Sequence, residues 1–280
     1  MSIIIPANSA AGGGFEVANS VRMNRSSSDS LTRTQSASPT SATKGTLSFW
    51  IKRSLLGTAQ YYMSTFQDSN NRVQSEFQAD DTLRIIQKNS ASTTINIITN
   101  RVFRDPNAWY HVVLAFDTTQ GTDSNRVKLY INGVQETSFS TASYPSSGID
   151  SFLTKGTSAS LGAYNGSGDY TSGYFAEMVL IDGQQLDPTS FGEFDEDSGS
   201  WKAIDVSGLT FGTNGYYLDF EDSSALGNDA AGSNNFTANN LTAVDQSLDT
   251  CTNNACVWNP LRFWNRSGTL QKVSFDNGNL

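Results

Sequence analysis

The chain has 280 residues, enough for one large sandwich with extensions or two small domains. Only 16% of them are charged and the net charge is −9, which argues against the clustered Lys and Arg that a nucleic-acid backbone requires. No apolar run approaches the roughly 18 residues of a membrane span, so membrane insertion is not expected.

The start, Met1-Ser2-Ile3-Ile4-Ile5-Pro6, lacks the basic head and long apolar run of a signal peptide, so synthesis in a cytoplasm is expected. Ile3, Ile4 and Ile5 form a short apolar strand that Pro6 stops and that Gly12-Gly13-Gly14 uncouples from the rest of the chain. Residues 1–16 therefore read as a docking arm that buries its isoleucines on the sheet edge of another subunit, which makes a homo-oligomer the expectation. Val17–Met23 is a first strand. Residues 24–44 are rich in Ser and Thr, the composition of a disordered segment, yet are expected to pack against the rest.

Strand signals strengthen from Thr46. Leu47, Phe49 and Ile51 alternate onto one face, and Lys52-Arg53 reads as a solvated strand end. Leu83–Gln87 and Thr93–Ile98 read as a hairpin. Tyr110, Val112, Leu114 and Phe116 share a face, with Trp109 as a core anchor at the strand's start. Arg126–Ile131 alternates and runs into Asn132-Gly133, whose residue types suit the two positive φ angles of a tight hairpin turn. Val134–Phe139 is the expected returning strand, with further strands at Tyr174–Asp182 and Tyr216–Phe220. Asp187-Pro188 suits the cap and first position of one helical turn. After Asn228 the chain turns Asn-rich, and 228–280 reads as an extended segment. The expected fold is an all-β sandwich over 17–227. Cys251 and Cys256, with no His nearby, make a poor zinc site; reduced thiols are expected, with a local disulfide as the alternative.

Two segments taken together resemble a known family. Trp109-Tyr110-His111-Val112-Val113-Leu114-Ala115-Phe116-Asp117 and Val127-Lys128-Leu129-Tyr130-Ile131-Asn132-Gly133 resemble the central hairpin of concanavalin A-like (laminin G-like) jelly rolls, and Leu47–Arg53 fits the same pattern. Residues 176–184, 186–193, 212–220 and 239–243 are similar to bacteriophage particle proteins described as tail-fibre-like or lectin-like. The resemblance implies a concanavalin A-like jelly roll with an N-terminal arm and an Asn-rich C-terminal extension. It also implies a non-enzymatic virion structural protein, made in the bacterial host cytoplasm, that partners other virion proteins in a tail fibre, spike or adaptor and binds host surface glycan. A capsid decoration or head-fibre protein and a glycan-degrading depolymerase are the alternatives.

Glucanases of this fold carry Glu-x-Asp-x-x-Glu on one strand, with the acids sharing a face for acid and nucleophile roles. The nearest match is Glu193-Phe194-Asp195-Glu196-Asp197-Ser198, where Ser198 stands for the third acid, so an acidic solvated loop is expected rather than a catalytic site. His111, the only histidine, is read as a sheet-face residue rather than a base. Laminin G-like domains often hold calcium at a loop rim. Asp68, Asp80, Asp81 and Asp123 are the oxygens on offer, without diagnostic spacing, and no cofactor is assigned. The loop from Tyr164 to Tyr170 is the candidate glycan contact. Tyr164 and Tyr170 offer faces for sugar rings, Asn165 and Asp169 bond hydroxyls, and the glycines admit close approach.

Overall fold

The computed structural model describes residues 14–35 and 37–254, which form two antiparallel sheets and a small separate hairpin. In chain order the strands are β1 (Ser20–Met23), β2 (Ser30–Thr34), β3 (Lys44–Arg53), β4 (Gln60–Asp68), β5 (Asn71–Phe77), β6 (Thr82–Asn89), β7 (Ser92–Val102), β8 (Trp109–Asp117) and β9 (Val127–Ile131). There follow β10 (Val134–Gln135), β11 (Phe139–Ser143), β12 (Ser158–Leu161), β13 (Gly173–Asp182), β14 (Gly192–Phe194), β15 (Trp201–Ala203), β16 (Tyr216–Leu218), β17 (Thr237–Asn239) and β18 (Gln246–Ser247). The first sheet runs β10-β9-β8-β3-β13-β1-β18, with β16 also on β13, and the second runs β11-β7-β6-β5-β4-β12-β2-β17. Helix is confined to one α-helical turn, Phe152–Lys155, and a few 3-10 turns among the described residues. One of these is Pro188–Ser190, where the Asp187 carboxylate accepts from Thr189 N–H.

Alternation sets what faces inward. Leu47, Phe49 and Ile51 from β3 and Val112, Leu114 and Phe116 from β8 meet Met63, Val73, Phe77, Leu83, Ile85, Ile95 and Ile97 of the second sheet in one core. Each such side chain contributes roughly 1.5–3 kcal/mol by leaving water. The two outer faces differ. On the first sheet the outward residues are also apolar, and they are roofed by chain. Trp50, Trp109, Tyr174 and Ala176 pack under Val17 and Ala203, while Val113, Val179, Ile181 and Tyr217 pack under Phe191 and Val206. All ten residues of β13 are consequently buried.

The Asn132-Gly133 turn forms as expected, with φ of 50° and 78°. The returning strand is shorter than expected. Only Val134 and Gln135 pair with β9, after which the chain crosses to the second sheet and β11 pairs with β7. The crossing is fixed by Glu136, whose carboxylate accepts from Arg101 Nε at 2.7 Å and from Ser138 N–H at 3.1 Å.

Lys52 and Arg53 correct the expectation of a solvated strand end: each is 1% exposed. Lys52 lies under the segment 249–254, its Nζ 2.8 Å from Asp249 Oδ2 and 2.8 Å from Asn254 Oδ1. Asp249 Oδ1 also accepts from Trp109 Nε1, which anchors Trp109 beneath the roof of the first sheet rather than between the sheets. Arg53 donates to Asp81 Oδ1 at 3.1 Å and lies over the Phe77 ring, 4.3 Å from its centroid. Two cations survive burial here because each has a carboxylate to hold its charge.

The Ser/Thr-rich stretch contributes β2, held between β12 and β17. The Asn-rich segment supplies β17 at the edge of the second sheet and β18 at the edge of the first, with Phe236 in the core. Ile3, Ile4, Ile5 and Cys256 lie outside the described residues.

Candidate functional site

The outer face of the second sheet is the open one, because the strands that build it alternate apolar with polar. On β5, Val73 and Phe77 point into the core, while Arg72, Gln74 and Glu76 point out. Tyr61 of β4 sits opposite Glu76 and Arg84 of β6 flanks it on the other side. These groups hold one another. Arg72 Nε donates to Gln74 Oε1 at 2.9 Å, Gln74 Nε2 to the Tyr61 hydroxyl at 3.4 Å, and Arg84 NH1 to Glu76 Oε1 at 3.4 Å. The Tyr61 hydroxyl donates to Glu76; burial, helped by that bond, pushes the phenol up. Burial raises the Glu76 carboxyl too, opposed by Tyr61 and Arg84.

The 164–170 turn leaves β12 and folds onto this face. Tyr164 N–H donates to Gly168 O and Ser167 N–H to Tyr164 O, closing the turn, and Asn165 N–H is held by Ser64 Oγ at 2.9 Å. Asn165, Gly166, Gly168 and Asp169 all take positive φ, which explains the glycines and the Asn and Asp. A Cβ at Gly166 would also make a tight approach of 3.1 Å to the Thr32 methyl. Tyr164 meets Phe66 edge-on at 5.2 Å and Tyr61 at 4.9 Å, both centroid to centroid. Asp169 O accepts from Tyr61 N–H, and its carboxylate is 3.5 Å from Arg25 NH2.

Of the four residues expected from sequence, Tyr164 and Asp169 thus converge on Tyr61. Asn165 stands exposed at the turn's tip, and Tyr170 is tied by its carbonyl to Arg25 while its ring joins no aromatic contact among the described residues. Tyr61, Arg72, Gln74, Glu76 and Arg84 were not anticipated; the period-two run Arg72-x-Gln74-x-Glu76 was the available signal. What the residues build is a half-exposed aromatic platform bordered by pre-positioned donors and acceptors.

The other expected sites resolve differently. His111 is buried on the roofed face, stacked on Trp50 at 4.8 Å. Trp201 Nε1 donates to its Nδ1 at 2.9 Å, so the proton rides on Nε2 and goes to Ser48 Oγ. Burial drives its pKa down to about 3. Glu193 and Asp195 lie around the β14–β15 hairpin and share one cation, Lys202 Nζ, at 3.2 Å each. Asp195 is lowered to about 2, first by the Ser198 N–H it caps. Asp68 caps the β4–β5 turn and Asp81 pairs with Arg53 and Arg104, while Asp123 starts a 3-10 turn between β8 and β9. Consecutive turns of antiparallel strands lie at opposite ends, so Asp68 is remote from Asp80 and Asp81. Among the described residues no three metal-ligating side chains converge.

Comparison with solved structures finds the same fold. A protein of Bacteroides ovatus named for carbohydrate binding aligns at 14% identity over 79% of this chain and 57% of its own, with a TM-score of 0.51. A heptameric pentraxin from Limulus polyphemus aligns at 19% identity over 62% of this chain and 80% of its own, TM-score 0.44. Domains LG4-5 of mouse laminin alpha1 align at 16% identity over 64% and 46%, TM-score 0.42. At 14% identity the likeness to the Bacteroides ovatus protein is one of fold. No curated protein matches the chain in sequence. Residues 25–186 match a family model, and on that match the chain belongs to the Concanavalin A-like lectin/glucanases superfamily.

Proposed function

We propose that the protein binds carbohydrate on the open face of its second sheet. The observation that carries this is the Tyr61–Tyr164 pair, 4.9 Å apart and half-exposed, amid Gln74, Glu76, Arg72 and Asp169. A sugar ring has an apolar C–H face and an equatorial belt of hydroxyls. Aromatic rings cover the first and fixed amides, carboxylates and guanidinium groups bond the second. The internal hydrogen bonds hold those groups in place before a ligand arrives, which lowers the entropy cost of binding. Calorimetric titration with an oligosaccharide panel tests this. Tyr164→Ala is expected to weaken any bound oligosaccharide at least tenfold while the thermal transition stays sharp; unchanged affinity removes the platform from the site.

The finer reading is a non-enzymatic component of a bacteriophage particle, in a tail fibre, spike or adaptor, that displays this face to a host surface glycan. Its support is the likeness of residues 176–184, 186–193, 212–220 and 239–243 to phage particle proteins, segments that here fall in β13, the Asp187 turn, β16 and β17. Binding is favoured over hydrolysis by the incomplete acid pattern at Glu193–Ser198, where Ser198 stands for the third acid and Glu193 and Asp195 both pair with Lys202. Electron microscopy of particles labelled with antibody to this chain tests the location. A reducing-sugar assay on host polysaccharide tests catalysis, and sugar release that Glu193→Gln abolishes would overturn the reading.

A further inference from the structure

A cavity of about 410 Å³ lies beside the candidate face, between β2, β17 and the turns at 214 and 233–235. It adjoins the glycan face through Thr32, which lines the cavity and whose methyl backs Gly166 of the 164–170 turn. Its size lies in the range of small-molecule sites, about 300–1,000 Å³. The wall is polar save for Ala37, and no carboxylate lines it among the described residues.

One cation reaches into that wall. Arg33 NH1 donates to Asn214 O at 3.1 Å and NH2 to Asn234 Oδ1 at 2.6 Å, both neutral oxygens. Arg33 makes no ion pair among the described residues, unlike Arg22, Arg25, Arg53, Arg84, Arg101 and Arg104. Asp229 acts on it only from a distance, with its oxygens bonded to the backbone N–H groups of Tyr217, Ala231 and Asn234. A half-buried guanidinium with no carboxylate in direct contact is a place where an anionic group gains a strong, charge-assisted hydrogen bond.

A second observation says what kind of anion. Asn214 also lines the cavity and is 1% exposed. Its Nδ2 donates to Ala37 O and Thr154 O, which fixes the amide orientation and leaves the buried Oδ1 without a partner. Thr34, Ser233, Asn235 and Thr237 line the same cavity with hydroxyls and an amide, groups that a sugar's hydroxyls can bond as both donors and acceptors and that a sulfate ion, having no donor, can engage only as an acceptor. We propose that this cavity is a subsite for an acidic sugar residue, its anionic group on Arg33 and its hydroxyls on Asn234, Asn235 and Thr237. The proposal deepens the carbohydrate reading and rests on it: the acidic unit would occupy the cavity while a neighbouring unit lies on Tyr61 and Tyr164.

The test is residue-resolved nuclear magnetic resonance on the full-length protein, titrated separately with galacturonate, N-acetylneuraminate, galactose 6-sulfate and galactose. The side-chain amides of Asn234 and Asn235 and the Arg33 Nε–H are expected to shift with charged sugars, at least tenfold more tightly than with galactose. A response to the two carboxylates alone identifies a sugar acid, and a response to the sulfate alone identifies a sulfated sugar. Arg33 has structural bonds, so a second variant guards against misfolding: Asn235→Asp keeps the acceptor for Asp229 N–H and adds a repelling charge. It is expected to weaken charged sugars at least tenfold and to leave Tyr164-dependent binding of neutral oligosaccharides intact. The subsite is overturned if galactose binds as tightly as the charged sugars, if no charged sugar shifts these signals, or if Asn235→Asp changes nothing. Loss of Tyr164 dependence with the cavity signals still responding would instead overturn the platform alone.

Discussion

Glu177 shows how much one residue can cost its own fold. It occupies a bulge in β13, where the register with β3 slips between Ala176 and Val179, at a φ of 48° that side chains rarely adopt. The bulge turns it onto the roofed face, 7% exposed, where its carboxylate accepts from the Tyr217 hydroxyl at 2.7 Å. Burial raises its pKa to about 8, and Asp219, Glu221 and Asp205 add to the rise. The folded value lies above the unfolded one, so the folded state holds the extra proton. Its contribution is fully present below the ordinary value of 4.5 and is lost as pH rises through about 8. Each tenfold change in proton affinity corresponds to about 1.4 kcal/mol, so the loss on the alkaline side reaches a few kcal/mol. Glu177→Gln keeps an acceptor and removes the charge. It is expected to raise the melting temperature at pH 9 and to change it little at pH 4.5, and an equal effect at both would show the carboxyl is already ionised in the fold. His111 has the opposite sign. Lowered to about 3 by burial, it contributes stability above pH 6.5 that is lost as pH falls through 3.

At the scale of elements, the β9–β10 hairpin shows what local chemistry specifies well. Gly133 has φ of 78°, and a Cβ there would lie within the Trp201 ring's van der Waals radius, 2.3 Å from Cε3. Gly133→Ala is therefore expected to cost about 1–3 kcal/mol, from backbone strain and overpacking together. Because Trp201 Nε1 bonds His111, the same change should shift tryptophan fluorescence; an unaltered spectrum and melt would show that Trp201 is not fixed over the turn. This hairpin and strands β3, β8 and β13 were legible because Asn-Gly and regular alternation are local signals. The β4–β5 hairpin was not. Its inward positions include Thr65 and Ser75 rather than apolar residues, its register shifts near Tyr61 and near Phe66, and no glycine marks its turn. The candidate site was accordingly half legible: the 164–170 turn carries its own glycines and aromatics, whereas the platform beneath it rests on the unread hairpin. Lys52 and Arg53 were misread for a related reason. Their partners, Asp249 and Asp81, lie 197 and 28 residues away, and no local pattern announces a carboxylate at that range.

At the scale of the whole molecule, the Asn-rich segment joins both sheets at once. Thr237–Asn239 completes the edge of the second sheet against β2, and Gln246–Ser247 completes the edge of the first against β1. The same segment sets Phe236 into the core beside Tyr216, and Asp249 beneath the roof against Lys52 and Trp109. Composition describes this stretch as an extended segment; its function in the fold comes from a few residues, placed by the asparagines' hydrogen bonds. Asn234, for example, donates to Thr213 O and Gly215 O while accepting from Arg33. A chain ending at Asn228 loses all of this together. Removing a buried aromatic costs about 3–5 kcal/mol. Taking the carboxylate from a buried ion pair costs about 3–5 kcal/mol more. Those two losses alone approach the roughly 5–15 kcal/mol by which whole domains are stable, before two edge strands are counted. The truncated protein is expected to show no cooperative thermal transition and no near-ultraviolet dichroism. Asp249→Ala in the full chain, which removes one carboxylate and leaves both edge strands, is expected to melt cooperatively at a lower temperature. A sharp transition in the truncated chain would mean that the sandwich closes without β17 and β18, and that this segment is laid on a finished fold.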